Sequence, residues 1–163
     1  NLGNMMHSQA RSFLSGLSEA MTPLDYLFIG FDQKKDPRKI LDAYNDPKGV
    51  TAAFNKNILY RINRELDADF DPDRFLHWET YNPESGAARS YLVAQEEMLV
   101  HINSLDLELH LRAWETIYTE LSQKYDDAVV AWLAEGAGLE VVEDFADPRG
   151  YYKDYLFRKT AGK

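Results

Sequence analysis

The stretch Glu115-Thr-Ile-Tyr-Thr-Glu-Leu-Ser-Gln-Lys-Tyr125 decides how this chain folds. Its β-branched and aromatic residues favour a strand over a helix. As a strand it alternates, with Ile117, Thr119 and Leu121 facing one way and Tyr118, Glu120 and Ser122 the other. The first set suits a core. The second carries a carboxylate and a hydroxyl at i and i+2, about 6 to 7 Å apart along the strand and pointing in one direction. Such a pair can hold two nitrogens of one small ring, or simply be the solvated face of a half-exposed strand.

Before that strand come further short strands. His77–Tyr81 and Arg89–Gln95 flank the turn Asn82-Pro-Glu-Ser-Gly86, and a reversal at Glu96-Glu97 leads into Met98–Ile102 and then Leu105–Leu111. Earlier still, Gly49-Val50-Thr51 opens a long helix with Val50, Phe54, Ile58, Ile62 and Leu66 in one stripe at four-residue spacing. Asp71-Pro72 starts a short helical turn that runs to Phe75. A helix followed by a meander of strands makes residues 43–125 an antiparallel α+β lobe.

The flanks have another pattern. Ser8 caps a helix whose stripe is Ala10, Phe13, Leu14, Leu17 and Met21, and Thr22-Pro23 ends it. Asp25-Tyr-Leu-Phe-Ile-Gly-Phe-Asp32 is nearly continuous in apolar residues, as a central parallel strand covered on both faces would be. Asp36-Pro37 opens the next helix. Beyond the lobe, Asp127–Glu135 is an amphipathic helix stopped by Gly136 and Gly138. Two strands follow, Leu139–Phe145 and Tyr151–Arg158, about the turn Asp147-Pro-Arg-Gly150. Residues 1–42 and 126–163 therefore read as part of an open α/β sheet, interrupted by the lobe. Such sheets bind ligands beyond the carboxyl ends of their strands, where Asn4 and Asp32 fall, although both residue types are also common turn formers.

Composition narrows the partners. With 163 residues the chain has room for one domain with a core, or is a piece of a larger one. Hydrophobic residues at 45% and charged residues at 28% describe a soluble globular chain rather than a disordered one. A net charge of −9 argues against nucleic acid and against anionic membranes as partners. Neither a signal peptide nor an apolar run of spanning length occurs. The absence of cysteine excludes a disulfide framework and suggests a cytoplasmic location. The chain opens on Asn1 rather than Met and reads as a piece of a longer protein.

Catalytic signatures are missing. His7, His77, His101 and His110 lack the tight spacing of a metal site. Asp106, Glu108 and His110 alternate on one presumed strand face, which fits a solvated face better than a metal site, so no metal is expected. There is no Gly-x-Gly-x-x-Gly, no Walker sequence, no Gly-x-Ser-x-Gly elbow and no thiol. No residue is assigned a catalytic role.

Several motifs nevertheless coincide in order and spacing with one family. Ile29-Gly-Phe-Asp-Gln-Lys-Lys-Asp-Pro37, Ala43-Tyr-Asn-Asp46, Gly49-Val-Thr-Ala-Ala-Phe-Asn55, Asn63-Arg-Glu-Leu66 and Thr119-Glu-Leu-Ser-Gln-Lys-Tyr125 resemble the histidine-specific, S-adenosylmethionine-dependent Nα-methyltransferases of ergothioneine biosynthesis. The resemblance implies the C-terminal half of a Rossmann-like methyltransferase sheet, closed by a reversed last strand and carrying an inserted substrate-binding lobe. It also implies a pocket for the amino acid histidine. Asn4 matches the Asn that touches the α-amino and carboxylate groups, Tyr44 the Tyr that binds the carboxylate, and Glu120 and Ser122 the pair that holds the imidazole. Thr51 would join through water. Met5-Met6-His7 departs from the family, where an aromatic residue and a Ser/Thr-Pro cap are usual. The family's first half, with its glycine-rich turn, its ribose-gripping acid and a further substrate-binding tyrosine, has no counterpart here. The S-adenosylmethionine site is thus expected to lie mainly outside this chain. Two other readings stand beside this one: a relative acting on another amino acid, such as a tryptophan derivative, and a binding or interaction module without activity. An indole offers one donor and no acceptor, so the Glu-x-Ser pair favours histidine.

Overall fold

The computed structural model describes residues 2–160. In chain order the elements are α1 (His7–Ala20), β1 (Tyr26–Asp32), α2 (Pro37–Tyr44), α3 (Val50–Leu66), β2 (Phe75–Asn82), β3 (Ala87–Ala94), β4 (Met98–Ile102), β5 (Leu107–Leu111), β6 (Thr116–Gln123), α4 (Asp127–Gly136), β7 (Leu139–Ala146) and β8 (Tyr152–Lys159). They form two compact units. Among the described residues the first comprises 2–37, 82–87 and 121–160, the second 38–81 and 88–120. The turn between β2 and β3, which the sequence reading placed in the lobe, groups with the first unit.

In the first unit β8 lies between β1 and β7 and is antiparallel to both, with Tyr26 opposite Arg158 and Asp32 opposite Tyr152. β1 and β7 consequently run parallel, with a reversed strand inserted between them. Leu14 of α1, Phe31 of β1, Leu133 of α4 and Phe157 of β8 meet in one core. Tyr125 and Phe31 pack edge to face, with ring centroids 4.8 Å apart.

Two expectations for this unit need correction. β1 is the edge strand of its three-stranded sheet among the described residues, and parallel pairing is confined to an isolated bridge just past its end, Gln33 with Tyr125. It is also covered on one face only: Phe31 is buried, with Leu27 and Ile29 packed against the core, while Tyr26 and Phe28 are more than half exposed. Both faces of the strand are apolar, which is why the run reads as doubly covered. The second correction concerns Ser8, which is not the helix cap. α1 begins at His7 after Met6, and the Gln9 side chain accepts a hydrogen bond from the Met6 N–H at 2.9 Å.

In the second unit β2, β3 and β6 form one sheet, and β4 and β5 form a separate hairpin with Met98 opposite Leu111. The strands are thus not one continuous meander. β6 returns to lie beside β3, where the Ala94 N–H donates to the Glu115 carbonyl at 2.8 Å and the Trp114 N–H to the Ala94 carbonyl at 2.7 Å. Trp114 takes a left-handed conformation at this corner (φ 68°). Asp106 does the same ahead of β5 (φ 48°). It therefore lies outside the strand, and the row expected of Asp106, Glu108 and His110 does not form. The core gathers Leu59, Phe75, Leu92 and Val100.

The stripe expected along α3 is only half right. Ile62 and Leu66 pack on the core, but Val50 and Phe54 are 65% and 70% exposed, and the helix buries Asn55 and Leu59 in their place. At 3.6 residues per turn, each four-residue step advances about 40° around the axis. Five such positions wind off any single face.

Candidate functional site

β6 carries Glu120 and Ser122 two residues apart, hence on one face, and both are half-buried. The opposite face holds Leu121 in the interior. The alternation read from the sequence is the one observed. The unit boundary falls between Glu120 and Leu121, and the strand is anchored differently on either side of it.

On the Glu120 side the anchor is neutral hydrogen bonding. The Thr119 hydroxyl lies 2.6 Å from Asn55 Oδ1 and 3.0 Å from the Ser90 carbonyl. Asn55, buried in α3, donates through Nδ2 to the Thr51 carbonyl at 3.1 Å. Buried Ser90 donates to Glu79 Oε2 at 2.5 Å. A polar thread thus crosses β2, β3 and β6 to the first turn of α3, and ties Thr51 to the strand that bears Glu120. Thr51 is fixed from its other side by Asp46, whose carboxylate accepts from the Thr51 and Val50 N–H groups at 2.8 and 3.0 Å. These bonds hold the Asp46 pKa down at about 2. Tyr44 ends α2, two residues ahead of Asp46, and is half-buried.

The outer face of β6 continues into aromatic surface, where the Tyr91 and Tyr118 rings are 5.5 Å apart. A cavity of about 220 Å³ lies beside the α2–α3 connection, lined by Asn45, Asp46, Lys56, Phe75 and His77 among others. None of the residues predicted to bind substrate lines it. Burial lowers the pKa of His77, which keeps its imidazole neutral there.

On the Ser122 side the anchor is ionic. Lys124, buried to 2% exposure, donates through Nζ to Ser122 Oγ at 2.8 Å and pairs with Asp32 Oδ2 at 2.7 Å. The other Asp32 oxygen meets Lys35. Asp32 closes β1, so this carboxylate stands where an open α/β sheet offers ligand contacts, yet both its oxygens are engaged by lysines. Gly86 takes φ 73°, and a side chain there would strike the Lys124 carbonyl, so the β2–β3 turn can receive the Lys124 N–H at 2.7 Å only as glycine.

Asn4 ends a short 3-10 turn, Leu2–Asn4, and is exposed. That turn is held from beneath by Tyr125, whose hydroxyl donates to the Leu2 carbonyl at 2.9 Å. Burial pushes the Tyr125 pKa up to about 12, so it remains a donor. His7 follows at the start of α1 with its ring 5.8 Å from that of Tyr125. Its pKa is lowered by burial first and by Lys34 second.

The five predicted residues are therefore divided: Asn4 and Ser122 belong to the first unit, Tyr44, Thr51 and Glu120 to the second. The residues that place them, Asn55, Thr119, Lys124 and Tyr125, were not singled out from sequence. A signal existed in Thr119 and Lys124, polar residues at or next to core positions of a strand.

Comparison with known proteins decides the family. Residues 1–159 match the family described as histidine-specific methyltransferase, SAM-dependent. The chain belongs to this family. Among individual methyltransferases, the histidine N-alpha-methyltransferase of Mycolicibacterium smegmatis is 41% identical over 150 residues, covering 91% of this chain and 46% of that protein. The protein of the same name from Mycobacterium tuberculosis is 38% identical over 149 residues, with the same coverages. Ergothioneine biosynthesis protein 1 of Schizosaccharomyces pombe is 26% identical over 160 residues, 98% of this chain and 20% of that protein. The chain spans about half the length of the first two relatives. Among the described residues, no cluster of three or more metal-ligating side chains occurs, and no helix is long and apolar enough to cross a membrane.

Proposed function

We propose that this chain is the C-terminal part of an enzyme that transfers methyl groups from S-adenosylmethionine to the α-amino group of histidine, and that residues 43–125 serve as its substrate-binding lobe. The observation that carries the reading is the Glu120–Ser122 pair on one face of β6, a carboxylate acceptor beside a hydroxyl, on a strand anchored at both ends of the pair. That set matches an imidazole, which offers one N–H and one ring lone pair. Names borne by relatives at 38 to 41% identity support it.

In this reading Glu120 and Ser122 hold the ring, Asn4 and Tyr44 orient the α-amino and carboxylate groups, and Thr51 contributes through water. Their task is positioning: the amine must present an uncharged lone pair in line with the methyl group. The cofactor fits these residues poorly. The chain has no glycine-rich turn for its nucleoside, and the strand-end carboxylate Asp32 is already tied to Lys124 and Lys35. Its grip belongs to the part of the enzyme this chain does not span. The reading includes no nucleic-acid or membrane partner and a cytoplasmic setting.

The test is calorimetric titration of the full-length protein with histidine and with tryptophan, in the presence of the demethylated cofactor, for wild type and Glu120→Ala. Histidine should bind and tryptophan should not. Truncating one partner of a buried charged hydrogen bond costs about 2–5 kcal/mol, so histidine affinity should fall roughly 30- to several-thousand-fold in the variant. Cofactor affinity should barely move, and the preference over tryptophan should shrink. An unchanged preference would remove Glu120 from the ring site. Wild type that binds tryptophan instead would move the enzyme to another amino acid, and binding of neither would leave a non-catalytic module.

A further inference from the structure

The cavity beside the α2–α3 connection serves no part of the function proposed above. It has a volume of about 220 Å³, and Asp46, Ala52, Lys56, Phe75 and His77 are among the residues that line it. All five belong to the second unit. Phe75 and His77 are the first two buried residues of β2, and Ala52 and Lys56 are four apart on α3, hence on one face of it. A strand, a helix and the turn that caps the helix contribute one wall each.

The polar groups of this lining are only partly satisfied. His77 is 8% exposed, and its Nε2 is buried without a hydrogen-bond partner among the described residues. Burial lowers its pKa, and beyond that the charges of Asp46 and Lys56 act on it in opposite directions, so both lie near the ring. The neutral ring has one N–H and one lone pair to offer. Lys56 makes no ion pair among the described residues and so does not reach Asp46. The Asp46 oxygens each accept one backbone N–H, from Thr51 and Val50, and each keeps a second lone pair. Buried polar groups ordinarily have partners. Here a cation, an anion and a neutral ring line one cavity without bonding to one another.

We propose that this cavity is a second binding site, for a small zwitterion that carries an ammonium and a carboxylate on a short aliphatic body, as a free alanine or valine does. The ammonium meets Asp46, the carboxylate meets Lys56, His77 bonds to either head, and the aliphatic part lies against Ala52 and Phe75. Charge decides the class. A plain anion would be set against Asp46 and a plain cation against Lys56, and an uncompensated charge is costly wherever water is partly excluded. A zwitterion satisfies both groups and adds no net charge. Volume sets the size, since sites for drug-sized ligands run to about 300–1,000 Å³. The site is separate from Glu120 and Ser122 and does not rest on the identity of the methyl acceptor. A ligand there shares Asp46 with the first turn of α3, so occupancy tightens that turn.

The test is calorimetric titration of the full-length protein with L-alanine and L-valine, and with propionate and ethylammonium as probes that carry one charge each. The two amino acids should bind with roughly millimolar affinity, the scale for a ligand of so few atoms, and should raise the melting temperature as they saturate the site. Each single-charge probe should bind roughly tenfold more weakly, the scale of one charge-assisted hydrogen bond. Lys56→Met should weaken the amino acids by a similar factor, and it removes no ion pair from the fold. Ala52→Leu fills the cavity from a helix position that suits leucine and should abolish binding with every polar group in place. Glu120→Ala should leave alanine affinity unchanged. Saturating amino acid without heat or melting shift would overturn the proposal. So would propionate or ethylammonium binding as tightly as alanine, undiminished binding to Ala52→Leu, or loss of alanine binding in Glu120→Ala, which would put the ligand in the ring site. Thermal melts show whether each variant folds, and if Ala52→Leu does not, Lys56→Met carries the test. The histidine and tryptophan titrations judge the methyl acceptor separately, and their failure leaves this result standing.

Discussion

One strand is anchored in two unlike ways. Toward Thr119, β6 is held by uncharged partners, an amide and a carbonyl within a network that is buried and reaches α3. Toward Ser122 it is held by a buried ammonium and a partly exposed carboxylate. Neutral bonds of this kind contribute about 1 kcal/mol each and cost more when one partner is left buried without the other. The ionic anchor gains strength from low dielectric surroundings but carries the desolvation of Lys124. A neutral network fixes where a side chain stands.

The largest effect should come from breaking the ionic anchor on its carboxylate side. Asp32→Ala removes a carboxylate 2.7 Å from a nearly solvent-free ammonium, and removing one member of a buried pair costs about 3–5 kcal/mol. Asp32 is itself 36% exposed on its side chain, so the lower part of that range is expected. Lys124→Met, which removes the charge instead of stranding it, should cost far less. Urea unfolding of the two variants checks this, and equal losses would mean that burial of Lys124 plays no part.

The strands, helices and turns were legible because their signals are local. Period-two alternation marked β6 and the cap at Asp71-Pro72 marked the turn before β2. What failed depended on neighbours. Whether β1 is covered on both faces cannot be read from β1, since its apolar run is the same either way. The buried face of α3 was misjudged because Asn55 looks polar and turns inward only when Thr119 meets it. The placement of Glu120 and Ser122 on one face of β6 was legible from their spacing, whereas Asn4 and Tyr44 were named only from family resemblance. Lys124 escaped because a lysine ending a strand ordinarily reads as its exposed end.

The neutral anchor should give an intermediate loss. Asn55→Ala takes one of two acceptors from the Thr119 hydroxyl, which keeps the Ser90 carbonyl, and the side-chain donor from the Thr51 carbonyl. About 1–3 kcal/mol of stability should go, measured by urea unfolding. Asn55→Asp keeps an acceptor for Thr119 but sets a buried carboxylate against the Thr51 carbonyl, and should be less stable than Asn55→Ala at neutral pH. An Asn55→Asp variant more stable than Asn55→Ala would mean that the bond to Thr119 outweighs the burial of a charge.

The smallest effect belongs to the anchor at the surface, and pH separates it from the other two. Asp46 accepts from the Thr51 N–H and then the Val50 N–H, and these bonds lower its pKa from an ordinary 3.8 to about 2. A folded-state pKa below the unfolded value means that the folded form holds the charged carboxylate more firmly. The stability this contributes is complete above about pH 4, declines as pH falls through the interval between the two values, and is gone below about pH 2. Asp46→Asn keeps one oxygen acceptor and no charge. It should melt a little lower than wild type at pH 6, and the gap should close as the pH is taken from 4 toward 2. The direction is the test. A gap that widens on acidification would mean that the Asp46 carboxylate opposes folding, and a gap that does not change would mean that shape alone, as at Asn55, caps the turn carrying Thr51.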